Sequence, residues 1–275
     1  MKDTDAFEKM EHDGWTDPAT AQGYADGFDL ATKLVAKWLS EEVLAGPNVD
    51  VLDLCTGHGV VARELLERQA NVTGLDFSPA MIALARQAAP GATFVQGDAM
   101  AMTFADNSFD AVTIGFGVPH FPDPEQGLRE VARVLKPGGR IAFSIWRGKA
   151  SKGAFGWLFD AIGRLGDPTV TLPPGPDAHL LADINIAEPM LVKTGFTGIK
   201  LSDVASQLWV QGPEALFSAF DEGAVRAAAL LGAQSEERRE AIRADLAARV
   251  WSEGTKVESG FLVPAPSVLL SAVKV

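Results

Sequence analysis

The chain has 275 residues, and 47% of them are hydrophobic, which is enough to bury a full core without disulfides or metals. Acidic residues outnumber Lys and Arg by 36 to 24, and the formal net charge of −12 argues against a nucleic-acid partner. The single cysteine, Cys55, excludes an intrachain disulfide and predicts a reducing, cytoplasmic location. No run approaches about 18 apolar residues and the acidic start lacks an apolar stretch, so we expect no membrane span, no membrane partner and no secretory signal.

Helical and strand patterns follow each other along the first half of the chain. Residues 1–45 carry a helical pattern and form a predicted N-terminal cap. Short apolar strands then alternate with amphipathic helices, with strands at 51–53, 71–76, 92–98, 109–116 and 140–146 and helices at 60–66, 79–89 and 124–135. This alternation predicts βαβ units and a mostly parallel sheet, with ligands bound outside the carboxyl ends of the strands.

The second half is less regular. We expect helices at 153–165 and 185–194, a loop at 172–176, a strand at 196–204, helical structure over 213–252 and a last strand at 267–273. The predicted fold is α/β: a Rossmann-like, doubly wound, seven-stranded sheet with an N-terminal helical cap and a helical insertion before the last strand. We expect one domain over 1–275, made of the cap (1–45), a cofactor-binding core (46–147) and a substrate lid with the C-terminal strands (148–275).

The turn after the first strand is the most informative stretch, with the sequence Asp53-Leu54-Cys55-Thr56-Gly57-His58-Gly59. Glycines between a strand and a helix let a ligand approach backbone N–H groups at the helix N-terminus. The carboxylate of Asp53 would repel the pyrophosphate of a dinucleotide, whereas it would attract a cofactor that carries an ammonium group. This charge favours S-adenosylmethionine over a nicotinamide cofactor.

Five motifs together resemble the class I S-adenosylmethionine-dependent methyltransferases, most closely those of the ubiquinone and menaquinone biosynthesis type. They follow the family's order and spacing: residues 51–59, Gly74-Leu75-Asp76-Phe77-Ser78-Pro79-Ala80-Met81, Gly97-Asp98-Ala99, Phe109-Asp110-Ala111-Val112 and residues 129–140. The resemblance is strong over about 45–150 and holds only in outline over the last third. It implies S-adenosylmethionine as cofactor, S-adenosylhomocysteine as product and a small-molecule methyl acceptor. One departure is Cys55, which stands where the family usually has the first of three glycines.

The resemblance assigns roles to the residues of the first turn and the end of the second strand. The backbone of Cys55, Thr56 and Gly57 would line the methionine moiety, and Asp53 would engage its ammonium group directly or through water. Asp76 would accept hydrogen bonds from both ribose hydroxyls, because a carboxylate offers two acceptor oxygens. The alternatives are structural: Asp53 would cap the turn, and Asp76 would cap the following helix.

The other expected cofactor contacts also follow from the resemblance. Phe77 would lie against the adenine, Asp98 would accept from its amino group, and Phe116 would stabilise the positive sulfur through its ring face. Ala99 and Met100 would flank the adenine ring, and Met81 belongs to the same cofactor-binding set. Tyr24, from the N-terminal cap, would approach the cofactor carboxylate. The competing explanations are core packing for the aromatic residues and helix capping for Asp98.

His120 is the candidate catalytic residue, because it follows the fourth strand, where the family transfers the methyl group. A histidine there could remove a proton from a hydroxyl or amine acceptor at neutral pH, although the family often carries a histidine here without that duty. Aromatic residues in the segments over the strand ends suggest an apolar acceptor pocket: Phe28, Trp146, Phe155, Trp157, Trp209, Phe217 and Phe220. Neither CxxC nor HExxH occurs, and we expect no metal site.

Two other functions remain open on the sequence alone. Gly57-x-Gly59-x-x-Ala62 matches the looser dinucleotide fingerprint, so an NAD(P)-dependent oxidoreductase is the first alternative. Asp53 and the lack of a Tyr-x-x-x-Lys pair count against it. A non-catalytic S-adenosylmethionine-binding protein is the second alternative, kept open by Cys55. The sequence names neither the acceptor nor the atom that is methylated, and it is silent on oligomeric state.

Overall fold

The computed structural model describes residues 5–148 and 151–275, so small parts of the predicted cap and lid lie outside the described residues. The chain is organised as two compact units. The sheet unit contains Thr32–Ile145, Pro176–Val204 and Ser267–Val275, and the helical unit contains the segment ending at Ala31, Trp146–Gly175 and Ala205–Pro266. The single domain with three consecutive segments stays a prediction.

The described residues form the following elements, numbered in chain order. The strands are β1 (Asp50–Leu54), β2 (Asn71–Asp76), β3 (Thr93–Gln96), β4 (Phe109–Ile114), β5 (Leu135–Trp146), β6 (Phe196–Val204), β7 (Gln207–Val210), β8 (Thr255–Val257), β9 (Gly260–Pro264) and β10 (Ser267–Lys274). The helices are α1 (Asp5–Thr16), α2 (Pro18–Glu42), α3 (Val60–Glu67), α4 (Pro79–Ala88), α5 (Pro124–Val134), α6 (Ala154–Leu165), α7 (Ile184–Lys193), α8 (Ala215–Gly223), α9 (Val225–Gly232) and α10 (Glu236–Glu253).

A seven-stranded sheet in the order β3-β2-β1-β4-β5-β10-β6 forms the centre of the sheet unit. β1 pairs in parallel with β2 and β4, β2 with β3, and β4 with β5, whereas β10 runs antiparallel to β6. This arrangement confirms the predicted Rossmann-like, mostly parallel sheet. Because β1, β2, β3 and β4 are parallel, their carboxyl ends lie at one edge of the sheet, and the residues that follow them are brought to that edge.

The helix starts near this edge follow from local sequence. Ser78 caps α4 by accepting a hydrogen bond from the Met81 N–H at 3.1 Å, and Pro79 occupies the first helical turn. Asp123 caps α5 in the same way through the Gln126 N–H at 2.9 Å. These caps satisfy backbone donors that have no partner within the helix, so the connections after β2 and β4 have defined ends.

The start of β5 differs from the sequence expectation. The sequence pattern predicts a helix at 124–135 and a strand at 140–146, separated by a run that contains Pro137-Gly138-Gly139, but the structure has β5 beginning at Leu135. Leu135 pairs with Phe109, and the next pair joins Arg140 to Ala111, so the glycine-containing residues form a bulge in one long strand. Gly138 has φ +77°, which a residue without a side chain adopts at no steric cost.

The helical unit also contains structure that the helical pattern over 213–252 did not predict. That region is divided into α8, α9 and α10, as expected for a helical insertion, but a three-stranded antiparallel sheet in the order β7-β9-β8 accompanies these helices. Its strands have three to five residues, too few for a clear alternation of apolar and polar positions. Among the described residues, no helix combines the length and apolar character needed to cross a membrane.

Arg133 joins α5 to the long connection between β3 and β4. Its guanidinium donates to both carboxylate oxygens of Glu130 at 2.8 Å and to the backbone carbonyls of Met102 and Phe104 at 2.8 and 2.7 Å. A further bond reaches Asp106 at 2.9 Å. The planar guanidinium suits this set of acceptors, because its five donors lie in one fixed geometry.

We predict that Arg133→Ala lowers the free energy of unfolding by about 2–3 kcal/mol, because it leaves the part-buried carbonyls of Met102 and Phe104 without this donor and, among the described residues, leaves Glu130 with only the Met102 N–H, at 2.9 Å. Arg129→Ala on the same helix is the control, since Arg129 is 47% exposed and pairs with Glu125 at the surface; its loss should cost less than about 0.5 kcal/mol. Urea unfolding followed by circular dichroism measures both values. Equal losses for the two variants would contradict the assigned role of Arg133.

Candidate functional site

The turn between β1 and α3 has an unusual backbone. Cys55, Gly57 and Gly59 all have positive φ values, of 54°, 53° and 84°. A Cβ at Gly59 would lie 2.8 Å from the Ala85 Cα, so that position requires glycine on steric grounds. A Cβ at Gly57 would meet only the Cys55 carbonyl oxygen, at 3.9 Å. The turn is therefore closely packed at Gly59 and open at Gly57, where a ligand can approach the backbone.

Asp53 is fully buried at the end of β1, and both of its oxygens accept hydrogen bonds from threonine hydroxyls. Thr56 donates at 2.6 Å and Thr113, on β4, donates at 3.0 Å. Burial raises the pKa of Asp53 to about 7, although the two hydroxyl bonds act in the opposite direction. These contacts correspond to the turn-holding alternative. The contact with an ammonium group stays a prediction.

Asp76 ends β2 and connects two neighbouring segments. One of its oxygens accepts from the Gly57 N–H and the other from the Ser78 N–H, both at 2.9 Å. The residue is 6% exposed, and burial raises its pKa, while backbone hydrogen bonds and the nearby charge of His120 act against that rise. Each carboxylate oxygen has more than one acceptor position, so these bonds leave capacity for the ribose hydroxyls of the predicted role.

Three carboxylates act electrostatically on the Cys55 thiol, those of Asp53 and Asp76 at the ends of β1 and β2 and that of Asp98, two residues beyond the end of β3. Burial raises the pKa of Cys55 well above its usual value, and the charges of Asp76, Asp53 and Asp98 raise it further. The thiol therefore stays protonated at neutral pH and is not an activated nucleophile. Asp98 is exposed, and its side chain accepts the Met100 N–H at 2.8 Å in a local turn. Its contact with the adenine amino group stays a prediction.

The expected adenine contacts differ in exposure. The side chain of Phe77 is partly exposed beyond β2, and that of Met100 is partly buried. Met81 and Ala99 are buried, with 3% and 8% exposure, and Ala99 belongs to the core of the sheet unit. Phe77 and Met100 are therefore the more accessible of the expected adenine contacts, while Ala99 also packs in the core of the sheet unit.

The connection after β4 contains both Phe116 and His120. Phe116 is buried and has φ +59°, and its N–H donates to the Ser144 hydroxyl at 3.0 Å. His120 ends a short 3-10 turn that spans Val118–His120, and it lies close enough to Asp76 for its charge to affect that carboxyl group. The structure thus brings His120 into the region of the strand-end carboxylates.

Tyr24 lies in the helical unit, within a group of contacting rings. Its ring makes an edge contact with Trp15 at 5.3 Å and stacks on Phe28 at 4.9 Å. Burial raises its pKa above the usual range, so the phenol stays protonated. The predicted contact with the cofactor carboxylate stays a prediction, and the ring contacts support the alternative of core packing.

Sequence reasoning missed three residues that shape this region: Thr113, Gly117 and Ser144. Thr113 and Ser144 contact Asp53 and Phe116 across neighbouring strands, at separations of 60 and 28 residues. A Cβ at Gly117 would lie 2.5 Å from the Cys55 Cβ. No local motif marks such residues, because their partners are distant in the sequence.

The residues present fit S-adenosylmethionine. Open space at Gly57, a buried carboxylate with spare acceptor positions at Asp76 and a negative environment around Cys55 match a ligand that carries a ribose and positive charges. Within residues 5–148 and 151–275, no group of three or more His, Cys, Asp or Glu side chains is arranged to hold a metal ion.

Comparison with known proteins places the chain in a class. The family described as "Methyltransferase domain" matches residues 52–143. The demethylmenaquinone methyltransferase of Thermus thermophilus is 45% identical over 149 residues, which cover 49% of this chain and 67% of that protein. The matches to seven further demethylmenaquinone methyltransferases span only 41–52% of those proteins.

Solved structures agree on the fold. The YcgJ protein of Bacillus subtilis has a TM-score of 0.54 at 21% identity, covering 89% of this chain and 97% of that one. A phosphoethanolamine N-methyltransferase of Haemonchus contortus has a TM-score of 0.57 at 18% identity, covering 98% of this chain and 60% of that one. These structures show the fold, and the sequence relatives show the family: the chain belongs to the class I S-adenosylmethionine-dependent methyltransferases of the menaquinone biosynthesis type.

We predict that Asp53 makes stability depend on pH. Its pKa is near 3.8 when unfolded and about 7 when folded, so the folded state holds an extra proton between these values. Its contribution to the free energy of unfolding therefore falls as pH rises from about 4 to 7, by up to about 1.4 kcal/mol per pH unit, and is level above pH 7.

Urea unfolding of the wild type and Asp53→Asn at pH 4.5, 5.5, 6.5 and 7.5 measures this dependence, since Asn has a similar shape but does not titrate. The difference in unfolding free energy, wild type minus variant, should decrease with rising pH until about 7. A difference that stays constant over this range would show that Asp53 is ionised throughout.

Proposed function

We propose that the chain transfers the methyl group of S-adenosylmethionine to a small apolar or aromatic acceptor, such as a quinone-like ring. The observation that carries the proposal is the buried Asp76 carboxylate, which is joined to the open turn at Gly57 by a hydrogen bond of 2.9 Å. The family supports this function over an NAD(P)-dependent oxidoreductase or a non-catalytic binder. The single cysteine supports a cytoplasmic location.

A cluster of aromatic rings in the helical unit supports an aromatic acceptor. Phe28 contacts Trp146, Phe155 and Phe220 at ring distances of 6.0–6.2 Å, and Trp146 stacks on Phe155 at 4.9 Å. Phe155 is partly exposed, as is Tyr24, which stacks on Phe28. Partly exposed rings supported by buried ones provide a firm surface for stacking, and aromatic pairs contribute about 0.5–1.5 kcal/mol beyond their buried area.

The other expected pocket aromatics are arranged differently. Phe217 is buried under the guanidinium groups of Arg239 and Arg243, at 5.4 and 4.3 Å from the ring centre. Trp157 is buried, with 4% exposure, and Trp209 is 41% exposed on β7. We therefore propose an acceptor contact for Phe155, and packing roles for Phe217 and Trp157.

The proposed chemistry needs few catalytic groups. When bound, S-adenosylmethionine supplies a methyl group on a positively charged sulfur, which is already activated for displacement. The chain's own residues then bind, align and exclude water. Asp76 holds the turn and the ribose, Asp53 keeps the turn rigid from inside, and His120 takes a proton from the acceptor hydroxyl or amine.

We predict that Asp76→Asn weakens binding of S-adenosylhomocysteine by about 1–3 kcal/mol, or about 5–150-fold, because a neutral amide replaces two charge-assisted acceptors. Titration calorimetry with S-adenosylhomocysteine and, in parallel, with NADH measures the effect. Asp183→Asn is the matched control, since Asp183 also accepts a backbone N–H at a helix start, at 2.9 Å from the Asn185 nitrogen. Tight binding of NADH alone by the wild type would refute the proposed function.

We predict that His120→Ala lowers kcat at least 100-fold with an acceptor that must lose a proton, as expected for loss of a general base. Rates with isotopically labelled cofactor and a panel of phenol and hydroquinone acceptors measure it, together with S-adenosylhomocysteine affinity. A variant with full kcat but altered affinity would show that His120 acts only through its charge on Asp76.

A further inference from the structure

The turns after β1 and β4 each contain a residue with a strained backbone. Cys55 and Phe116 have φ values of 54° and 59°, in the left-handed region of backbone conformation that residues other than glycine and asparagine seldom adopt. Such conformations cost on the order of 1–3 kcal/mol and persist only where the surroundings enforce them. The contacts around these residues should therefore show what holds them.

Close packing joins the two turns. A Cβ at Gly117 would lie 2.5 Å from the Cβ and 2.9 Å from the Sγ of Cys55, so the Cys55 side chain occupies the space beside Gly117. The same Cβ would lie 2.9 Å from Cγ2 of Ile114. The Cys55 side chain therefore packs directly against Gly117, where no side chain would fit at position 117. The position of the turn after β1 thus constrains the turn after β4.

Ser144 holds the strained residue of the second turn. It is fully buried on β5, and its hydroxyl accepts the Phe116 N–H at 3.0 Å. The parallel pairing of β4 with β5 reaches Ile114, opposite Phe143, so Phe116 lies beyond the last paired residue. The Ser144 side chain thus gives a buried N–H the partner that the strand ladder no longer supplies.

We propose that Ser144 is a positioning residue for the methyl-transfer site, which acts by holding Phe116 in its left-handed conformation. The inference rests on the proposed function and on the expectation, from the family resemblance, that the Phe116 ring faces the positive sulfur. Attraction between a cation and a ring face requires the ring centre within about 6 Å. A change of the Phe116 backbone would therefore reduce this attraction, even with the ring itself retained.

The first test compares Ser144→Ala with Ser40→Ala. Ser40 is equally buried in the sheet unit, but its hydroxyl donates to the Lys37 carbonyl of its own helix at 2.8 Å. Hydrogen exchange should become at least tenfold faster at the Phe116 amide in Ser144→Ala and remain unchanged there in Ser40→Ala. The Kd for S-adenosylmethionine, whose sulfur carries the positive charge, should rise about tenfold in Ser144→Ala alone, and Ser144→Thr, which keeps the hydroxyl, should restore both the exchange rate and the Kd.

A second test separates positioning from general stability. Glycine adopts φ near +59° without strain, so in a Phe116→Gly background the Ser144→Ala change should add less than a twofold effect on the Kd. An additional tenfold effect there would overturn the proposal, as would unchanged exchange and affinity in Ser144→Ala alone. This design also remains informative if Ser144→Thr does not fold.

Ligand binding by the wild type and by Ser144→Ala separates the proposed function from the role of Ser144. A wild-type chain that does not bind S-adenosylmethionine would refute the proposed function, and the positioning role with it. Normal wild-type binding together with unchanged Ser144→Ala binding would refute the role of Ser144 alone. Amide exchange in the free protein decides whether the hydroxyl protects Phe116, whichever ligand the chain binds.

Discussion

Two buried carboxylates hold the turn between β1 and α3, and the candidate site depends on this arrangement. Asp53 fixes the turn from inside through Thr56, and Asp76 fixes it from the next strand through the Gly57 N–H. Both groups lose hydration, which raises the pKa of each. Placing two acids so close is unfavourable by itself, so the arrangement has an electrostatic cost that a positively charged ligand would offset.

This constraint explains why strain and close packing accumulate at one edge of the sheet. Once the turn is fixed, Cys55 adopts a left-handed backbone, and its side chain leaves room only for a glycine at position 117. Gly117 follows Phe116, whose own strained backbone is held by Ser144. The connection after β4 is thus shaped by contacts with β1 and β5, and its conformation is not a property of the loop alone.

Sequence patterns predicted the sheet, most helix bounds and the positions of Asp53 and Asp76 at the ends of β1 and β2, because periodicity and turn signals are local, whereas β3 ends at Gln96, two residues before Asp98. The predictions were less successful where tertiary pairing decides, as at β5, which begins at Leu135 on account of its pairing with Phe109. The small β7-β9-β8 sheet was missed for the same reason: short strands are stabilised by partners that are distant in the chain.

The sequence by itself determined the fold class, the family and the identity of the acidic residues at the strand ends, since these depend on local pattern and on residue type. Only the tertiary structure decided how those residues are used. It placed both Asp53 oxygens against Thr56 and Thr113, linked Asp76 to Gly57, and gave Phe116 its partner in Ser144. The physical reason is that burial and hydrogen-bond geometry arise between segments, and no single segment carries them.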